Sequence, residues 1–444
     1  YIVAGHQVDP MFVAVWNYKL PCVTTIVGTQ DQTRVSFTLG GNVQSKTAGG
    51  LTPGQSASVV LNAGDVWAVS TLGAYSDLTG SKIVATKPVA VVTGNKCNNI
   101  PDGNQWCDYT VEMDMPTFTW GLDYHVPKIP GRKYPSIIRV FSKEGNTDVF
   151  RNGSQISHIK EAGGTKGRGW QEFRLVPMEW EPQSAVISGN KPINVVLYNT
   201  GVQEDGNPMP NSDPFVMGMT PYQQYQKEIT FATPGIRGGQ NFSENYVNFV
   251  YQADENGSMP TDCQFAEVKN GRFVWEEVRS KFPGVDEEFA YKVDGKRYKV
   301  KTITLKDDGV YKLKSEKPFA AYSFGYGWCD SYGYPTSAAL ADLEKPDTVC
   351  PQPIWKMTCD GVIEGATVTD KPDDPSVRSN LSMIVFYSDS SYNFEFSYND
   401  FVPGETVTTS WRAEVRDKAK DARAVISFMD RRGNDTTIVI EYHA

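Results

Sequence analysis

Cysteines supply the first chemistry that the sequence offers. Two pairs lie close along the chain, Cys97 with Cys107 and Cys350 with Cys359, and each pair can close a short, hairpin-like loop as a disulfide. We therefore predict a disulfide-stapled protein, which is typical of an oxidising, extracellular setting. Pairing of the other three thiols cannot be decided from the sequence, and the odd total leaves at least one thiol free or bonded to another molecule. These three are Cys22, Cys263 and Cys329.

A glycine-rich stretch near residue 330 carries candidate binding aromatics. They are Tyr326, Trp328, Tyr332 and Tyr334. Exposed rings of this kind stack on sugars and anchor protein interfaces. Alternatively, the rings pack between repeated modules, with the intervening glycines allowing close backbone approach. Packing is the favoured interpretation, and a binding role is the functional alternative.

Metal chemistry is not expected from the sequence. No CxxC motif or Cys/His cluster with zinc spacing occurs, and the chain has only 4 histidines. The run that begins at Asp254 imitates a calcium loop, but Met259 replaces its glycine and Phe265 replaces its final glutamate. A looser calcium site between Glu204 and Asp213 is an alternative to an ordinary solvated loop. We expect neither a metal nor a cofactor.

Catalytic motifs of the common hydrolases are absent from the sequence. Asp123 and His125 would share one face of a strand, where a hydrogen bond at the rim is a simpler interpretation than a catalytic pair. Glu112 and Asp114 could serve as a glycosidase pair only if their separation in space allowed it. We predict that the chain is not an enzyme, with a carbohydrate-active enzyme as the alternative.

Three proline-led strands are expected to position these residues. Each begins with Lys-Pro, continues as an apolar run and is followed by a glycine, and each follows a short hydrophobic element. Repetition at this long period predicts three tandem β modules, sandwich- or blade-like, rather than a short-repeat solenoid. We place the modules at about 1–130, 131–222 and 223–342, with an opening strand at 11–16. The Lys-Pro pairs are Lys87-Pro88, Lys191-Pro192 and Lys317-Pro318.

Residues 350–444 are predicted to form a separate domain. Short apolar strands at regular spacing, joined by polar turns, favour an immunoglobulin-like β-sandwich. The segment lacks the buried Cys…Trp…Cys pattern of antibody domains, so only the architecture is predicted.

Composition and charge limit the classes of partner. The chain of 444 residues contains Gly 39, Pro 27 and Tyr 22, which favours strands and turns, and the fold class is all-β. The net charge of -9 argues against nucleic acid and anionic membranes as partners. No apolar run approaches the length of about 20 residues that spans a bilayer. The first residue is Tyr1 rather than Met, so we expect that a secretory signal has been removed.

Two groups of residues form a pattern that is more specific than any single motif. The first group is 78–80, 87–91, Gly94, Cys97, Cys107, Asp108, Glu112, Pro116, Trp120 and Gly121. The second group is 324–327 and 330–335. In both groups the chain resembles the IgGFc-binding protein N-terminal domain family, over roughly residues 10–342. The resemblance implies an extracellular binding or adhesion module without a known catalytic centre. Fc binding is not implied, because the von Willebrand-type domains of the animal proteins are not visible here.

The C-terminal segment is similar to Ig-like modules of secreted bacterial surface proteins, through residues 421–426 and 433–437. Together these resemblances predict a secreted cell-surface adhesion or structural protein that binds a protein or glycan without turnover. Self-assembly into an oligomer or filament by strand addition is part of this hypothesis. The alternatives are a carbohydrate-active enzyme and a soluble glycan-binding module.

Overall fold

The computed structural model describes residues 1–8, 20–104, 106–132, 136–165, 169–175, 184–206, 212–235, 242–269 and 272–444. The predicted opening strand at 11–16 lies outside these residues. The chain divides into two compact units, an N-terminal unit (Tyr1–Ala338) and a C-terminal unit (Ala339–Ala444). Both are built from strands, which confirms the all-β fold class. Among the described residues, no helix has the length and hydrophobicity needed to cross a bilayer.

The first repeat of the N-terminal unit forms two sheets, with strand orders β4-β1-β6-β7 and β3-β2-β5. Alternating burial along β1 shows why the run forms a strand, since every second side chain enters the core. Ile2 forms an isolated β-bridge with Lys82, the first residue of β5. The strands are β1 (Cys22–Gly28), β2 (Thr33–Thr38), β3 (Ser56–Leu61), β4 (Val66–Ser70), β5 (Lys82–Ala85), β6 (Val89–Asn98) and β7 (Asp108–Met113).

The second repeat pairs its strands in the order β11-β10-β13-β9-β12, and β8 and β14 also pair with β13. Single-turn 3-10 helices lie at Thr117–Thr119, Val202–Asp205 and Tyr222–Gln224. The strands are β8 (Gly121–Val126), β9 (Ile137–Ser142), β10 (Thr147–Arg151), β11 (Ser154–Ile159), β12 (Trp170–Arg174), β13 (Ala185–Tyr198) and β14 (Val216–Gly218).

The third repeat has the order β18-β17-β21-β16-β20-β19, with β15 and β22 also paired to β21. Its elements are β15 (Gln226–Ala232), β16 (Glu244–Gln252), β17 (Gln264–Lys269), β18 (Arg272–Glu277), α1 (Val278–Lys281), β19 (Glu287–Glu288), β20 (Tyr298–Leu305), β21 (Val310–Gly327) and β22 (Asp330–Pro335).

One pairing scheme recurs in all three repeats. The segment before each Lys-Pro pairs with β2, β10 or β17, and the segment after it pairs with β1, β9 or β16. The chain therefore changes its partner strand at each Lys-Pro, and in the first repeat this change takes it from one sheet to the other. The predicted boundaries between modules, near residues 130 and 222, stay a prediction; β8, which precedes residue 130, pairs within the second repeat.

Two of the three prolines differ from the expectation that each strand begins at its Lys-Pro pair. Pro192 and Pro318 lie inside the continuous strands β13 and β21. The pairing register shifts at both places, between Ser188 and Ile193 in β13 and beside Lys314 and Phe319 in β21. Such an irregularity leaves the proline outside the regular ladder, so that its missing N–H interrupts no ladder hydrogen bond.

Apolar packing joins neighbouring repeats within the N-terminal unit. One buried cluster combines Tyr124 and Val195 of the second repeat with Tyr298 and Tyr322 of the third. Another combines residues of the first and second repeats, including Ile100 and Tyr198. The repeats share cores and cannot be treated as independent sandwiches.

The C-terminal unit consists of two sheets with orders β23-β24-β27-β26 and β25-β28-β29. Side chains from both sheets, among them Val368, Trp411 and Phe428, fill one apolar core, so the sheets pack face to face. The strands are β23 (Gln352–Ile354), β24 (Val362–Thr369), β25 (Leu381–Phe386), β26 (Phe394–Tyr398), β27 (Thr408–Val415), β28 (Ala422–Asp430) and β29 (Asp435–Tyr442).

Candidate functional site

The final strands of the three repeats, β7, β14 and β22, place an aspartate at an equivalent position. In each repeat, the sixth residue after the proline of the Lys-Pro pair forms a strand pair with a residue of the final strand. These pairs are Gly94 with Val111, Tyr198 with Val216, and Phe324 with Gly333. An aspartate lies three residues before each of these partners in the sequence. The three aspartates are Asp108, Asp213 and Asp330. We call the meeting of the three strands the junction.

The three junction carboxylates influence one another electrostatically. Burial, together with the charges of Asp330 and Asp213, raises the pKa of Asp108 to about 7. Burial and then Asp330 likewise raise the pKa of Asp213 to about 6. Burial also raises the pKa of Asp330. Oδ2 of Asp108 and Oδ1 of Asp213 are buried without a hydrogen-bond partner among the described residues. The junction therefore concentrates acidic groups that favour their protonated state.

Direct contacts hold the junction strands side by side. Glu112 Oε2 on β7 accepts the backbone N–H of Gly218 on β14 at 3.0 Å. Ser331 Oγ, on β22, donates a hydrogen bond to the backbone carbonyl of Asp213. Gly333 lies against the Phe215 ring so closely that a Cβ there would fall 2.2 Å from a ring carbon. Glycine is therefore required at this position, since any side chain would displace the aromatic ring.

A buried arginine fixes the chain just ahead of Asp213. The Arg132 guanidinium donates to the carbonyls of Thr200 at 2.6 Å and Gly201 at 3.1 Å, and to Ser212 Oγ at 3.3 Å. These bonds connect the end of the β13 segment to the start of the β14 segment. The guanidinium thus satisfies backbone groups that the irregular chain leaves unpaired.

The Cys97–Cys107 disulfide forms as predicted and closes the loop that leads into the junction. Within this loop, Asn104 Nδ2 donates to the carbonyl of Ile100 at 2.9 Å. The same carbonyl accepts the N–H of Gly201 at 2.7 Å, which docks the loop on the second repeat. Because Cys107 immediately precedes Asp108, the disulfide also fixes the start of β7.

The predicted Cys350–Cys359 disulfide is not formed in the structure, where both thiols are free and exposed. That pairing stays a prediction. Cys22 and Cys263 are buried free thiols, and Cys329 is an exposed free thiol directly before Asp330. Burial, followed by the charges of Asp213 and Asp108, raises the pKa of the Cys329 thiol.

The four candidate aromatics occupy different environments. Tyr326 is buried, and its hydroxyl donates to the carbonyl of Pro130 at 3.0 Å. Tyr332 is half-buried and donates to Asn245 Oδ1 at 2.7 Å, while the Tyr334 hydroxyl donates to a backbone carbonyl of β15. Trp328 is 54% exposed at the turn before Asp330. Trp328 is therefore the member of the set whose ring is most accessible to a partner.

An exposed apolar face on β7 was missed in the sequence. Tyr109, Val111 and Met113 alternate along the strand and are 62%, 45% and 53% exposed, whereas Thr110 between them is buried. We call these three residues the apolar stripe. Trp106, just before the disulfide, is also exposed. The alternation of large apolar residues at 109, 111 and 113 is the signal that could have identified the stripe.

The residues considered for catalysis have structural partners. His125 is buried, its Nδ1 lies 3.0 Å from the Tyr225 hydroxyl, and burial lowers its pKa to about 3. Glu112 binds Gly218, and Asp114 accepts the N–H of Ala4 at 2.8 Å. In these contacts, Glu112 joins β7 to β14, and Asp114 holds the N-terminal segment of the chain.

The candidate calcium loops are described in part. Asp254 forms an ion pair with Lys317 at 3.1 Å, as in an ordinary charged loop. The Glu204–Asp213 candidate extends over residues 207–211, which lie outside the described residues.

A separate groove of about 1020 Å³ lies mainly on the third repeat. Its lining includes both acidic and basic side chains. Lys281 pairs with Glu267 at 2.9 Å, and Lys301 pairs with Asp286 at 2.8 Å. Glu267, Lys281 and Lys301 line the groove, which therefore carries both positive and negative charge.

Comparison with known proteins supports a family assignment. A family model described as IgGFc binding protein matches residues 1–325. The human (Homo sapiens) IgGFc-binding protein is 31% identical over 134 residues, which cover 30% of this chain. The match spans only 2% of the length of that human protein. Since the family model covers well over half of the sequence, the chain belongs to the IgGFc-binding protein family.

Proposed function

We propose that the chain is a secreted, non-catalytic binding protein that attaches to a protein at an extracellular surface. The binding face is the apolar stripe of β7, to which we add the exposed rings of Trp106 and Trp328. The exposure of Tyr109, Val111 and Met113 along one face of a single strand carries this proposal. Contiguous exposed apolar side chains mark interaction sites, and tyrosine, tryptophan and methionine are enriched in interfaces.

The strand that carries the stripe is held in place before a partner arrives. The Cys97–Cys107 disulfide fixes its start, and the Glu112–Gly218 hydrogen bond fixes its middle. Preorganisation reduces the conformational entropy lost on binding, so a larger share of the contact energy appears as affinity. A rigid strand is therefore a better binding element than a mobile loop of the same composition.

Family membership and the disulfide support an extracellular location. A disulfide persists in an oxidising compartment. The name of the human relative refers to the Fc part of IgG, but the match is confined to 2% of that protein. The proposed partner is therefore a protein surface in general, and Fc serves as one probe among several.

The finer parts of the proposal concern the C-terminal unit and assembly. We propose that the C-terminal sandwich is Ig-like and acts as a spacer in a surface adhesion or structural protein. Self-association into an oligomer or filament is the associated hypothesis. Size-exclusion chromatography with light scattering tests it, and a monomer at every concentration up to the highest attainable one would contradict it.

The binding experiment uses the full chain against panels of extracellular proteins, including Fc, and of glycans. We expect saturable binding to a protein, reduced by at least about tenfold in a Tyr109→Ser/Met113→Ser variant, since truncation of interface anchors removes more than about 1 kcal/mol each. The control is Val60→Ser/Val84→Ser, which removes two exposed apolar side chains elsewhere on the first repeat.

Three outcomes would contradict the proposal. Unchanged protein binding by the stripe variant would remove the stripe from the interface. Binding to glycans alone would favour the glycan-binding alternative at the groove of the third repeat. Turnover of a glycan would establish the carbohydrate-active enzyme.

A further inference from the structure

Three aspartates meet inside the C-terminal unit, far from the junction in sequence. Asp347, Asp370 and Asp430 each offer a carboxylate oxygen, and these oxygens all lie within 4.8 Å of one another. The residues are 1%, 0% and 1% exposed. Asp347 precedes β23, Asp370 directly follows β24, and Asp430 ends β28, so elements of both sheets converge on the cluster.

Two of the carboxylates are fixed by hydrogen bonds from the backbone and from a neighbouring amide. Asp347 accepts the N–H of Val349 at 3.1 Å and the N–H of Ser379 at 2.7 Å, one on each oxygen. Asp430 accepts the N–H of Asn434 at 2.9 Å on Oδ1 and its Nδ2 at 2.8 Å on Oδ2. Each oxygen has a further lone pair available, so both carboxylates can also bind a cation.

The third carboxylate has no such support. Both oxygens of Asp370 are buried, and neither makes a hydrogen bond within the described residues. The nearby backbone N–H groups of Asn380 and Lys371 favour the charged form of Asp370, but their effect is smaller than that of burial, which opposes it. A buried carboxylate without partners is strongly unfavourable, and a bound cation is one of the few groups that can compensate for it.

Electrostatics at the cluster point in the same direction. The three carboxylate groups are buried within 4.8 Å of one another, with almost no solvent to screen them, so their negative charges repel. A divalent cation placed between the three groups would convert this mutual repulsion into attraction.

We propose that Asp347, Asp370 and Asp430 form a calcium-binding site in the C-terminal unit. All the ligands on offer are oxygens, whereas zinc sites are dominated by nitrogen and sulfur. Ca²⁺ binds oxygens at about 2.3–2.6 Å, so it spans oxygen pairs up to about 5 Å apart, as in this cluster. Mg²⁺ holds its ligands at about 2.0–2.1 Å and retains several waters, which a fully buried cluster disfavours.

Calorimetric titration of the chelator-treated full chain with CaCl₂ tests the site directly. We expect one saturable site with a Kd of about 1 mM or tighter, the range of extracellular calcium modules. MgCl₂ should bind more weakly. Calcium should also raise the thermal midpoint of the transition that reports the C-terminal unit, because it binds only the folded site.

The Asp370→Asn variant tests whether Asp370 is a metal ligand or has only a structural role. The variant should lose at least about tenfold in calcium affinity and should no longer be stabilised by calcium, since a neutral amide is a poorer ligand than a carboxylate. Without calcium it should be at least as stable as the wild type, because it buries an amide beside carboxylate acceptors instead of a third charge. Asp373→Asn, an exposed residue in the same loop, is the matched control and should bind calcium normally.

Two results would overturn the proposal. The first is a wild-type chain that shows neither heat of binding nor stabilisation at millimolar CaCl₂. The second is an Asp370→Asn variant with wild-type calcium affinity. Should Asp370→Asn fail to fold, the wild-type titration and the Asp430→Asn variant decide the question by the same criteria.

Discussion

Glu112 Oε2 accepts the backbone N–H of Gly218 at 3.0 Å, although the two residues are separated by 106 positions in the chain. The bond joins the last strand of the first repeat to the last strand of the second. It also aligns β7 so that the opposite face of the strand presents the apolar stripe. One half-buried side chain therefore connects the packing of the repeats to the proposed binding face.

Removal of this side chain should destabilise the N-terminal unit. Glu112→Ala leaves the N–H of Gly218 buried without an acceptor, which costs about 1–3 kcal/mol. Glu112→Gln is the control and should remain close to the wild type at pH 7. Burial raises the pKa of Glu112 to about 8, so the side chain is already mostly neutral there, and the amide keeps the acceptor oxygen. Urea unfolding provides the measurement, and equal stability of the Ala and Gln variants would contradict the role of the bond.

The junction aspartates should make stability depend on pH. The folded-state pKa of Asp108 is raised to about 7 and that of Asp213 to about 6, from an ordinary value of 3.8. The folded state thus holds protons that the unfolded state releases, and stability falls as pH rises from about 4 through about 7. Glu112 and Asp114 act in the same direction, with pKa values raised to about 8 and about 6.

The contribution of Asp108 can be isolated by comparing variants. Two buried histidines, His6 and His125, have pKa values lowered to about 3 and oppose this trend on the acid side. Both histidines are present in Asp108→Asn and in the wild type, so their contribution cancels in the difference in stability between the two proteins. We expect Asp108→Asn to become progressively more stable than the wild type as pH rises from 5 to about 8. Thermal midpoints measure this, exposed Asp360→Asn is the control, and a difference that is constant with pH would contradict the prediction.

The contact between Gly333 and Phe215 should tolerate no added methyl group. A Cβ at Gly333 would lie 2.2 Å from the Phe215 ring, so Gly333→Ala forces the ring or the strand to move. Overpacking of this kind typically costs about 1–3 kcal/mol. Gly218→Ala is the matched control, because its Cβ would meet Glu112 at an ordinary 3.7 Å. Urea unfolding of both variants is the measurement, and a Gly333→Ala variant as stable as Gly218→Ala would show that the contact is looser than described.

Features that depend on local sequence were predictable. The Lys-Pro strands could be identified because proline and the apolar run after it have strong local preferences. The short spacing of Cys97 and Cys107 pointed to their disulfide, although the same argument also predicted the Cys350–Cys359 pair, which is not formed in the structure. The crossing of Pro192 and Pro318 inside continuous strands was not predictable, since a shift in pairing register depends on the partner strands.

The candidate site itself depends on contacts that are distant in sequence. Asp108, Asp213 and Asp330 have different neighbours, and Asp213 lies in a proline-rich segment that resembles a plain loop, so their equivalence appears only in the strand register. Asp347 and Asp430 likewise meet only because both sheets of the C-terminal unit converge there. The four aromatics near residue 330 were treated as one set, but local sequence does not determine that Tyr326 is buried while Trp328 is exposed.

The number of free thiols is a further prediction, because the structure and the sequence give different counts. The structure contains the Cys97–Cys107 disulfide and five free cysteines. The additional Cys350–Cys359 disulfide predicted from the sequence would leave three. Alkylation of the unreduced, unfolded chain followed by mass spectrometry counts the modified thiols, and peptide mapping assigns them. A Cys97 or Cys107 found alkylated would contradict the structure.

The stabilising effect of each disulfide follows from its loop. Residues 97 and 107 have a sequence separation of 10. A disulfide that closes a loop of this length lowers the conformational entropy of the unfolded chain and so stabilises the folded state by about 2–3 kcal/mol. Cys97→Ala/Cys107→Ala should therefore unfold at lower urea concentration and, because β7 loses its anchor, weaken partner binding at the apolar stripe. Cys350→Ser/Cys359→Ser is the control, and it should leave binding at the stripe unchanged whether or not that pair is oxidised. Full binding by the Cys97→Ala/Cys107→Ala variant would show that the staple stabilises the fold without ordering the stripe.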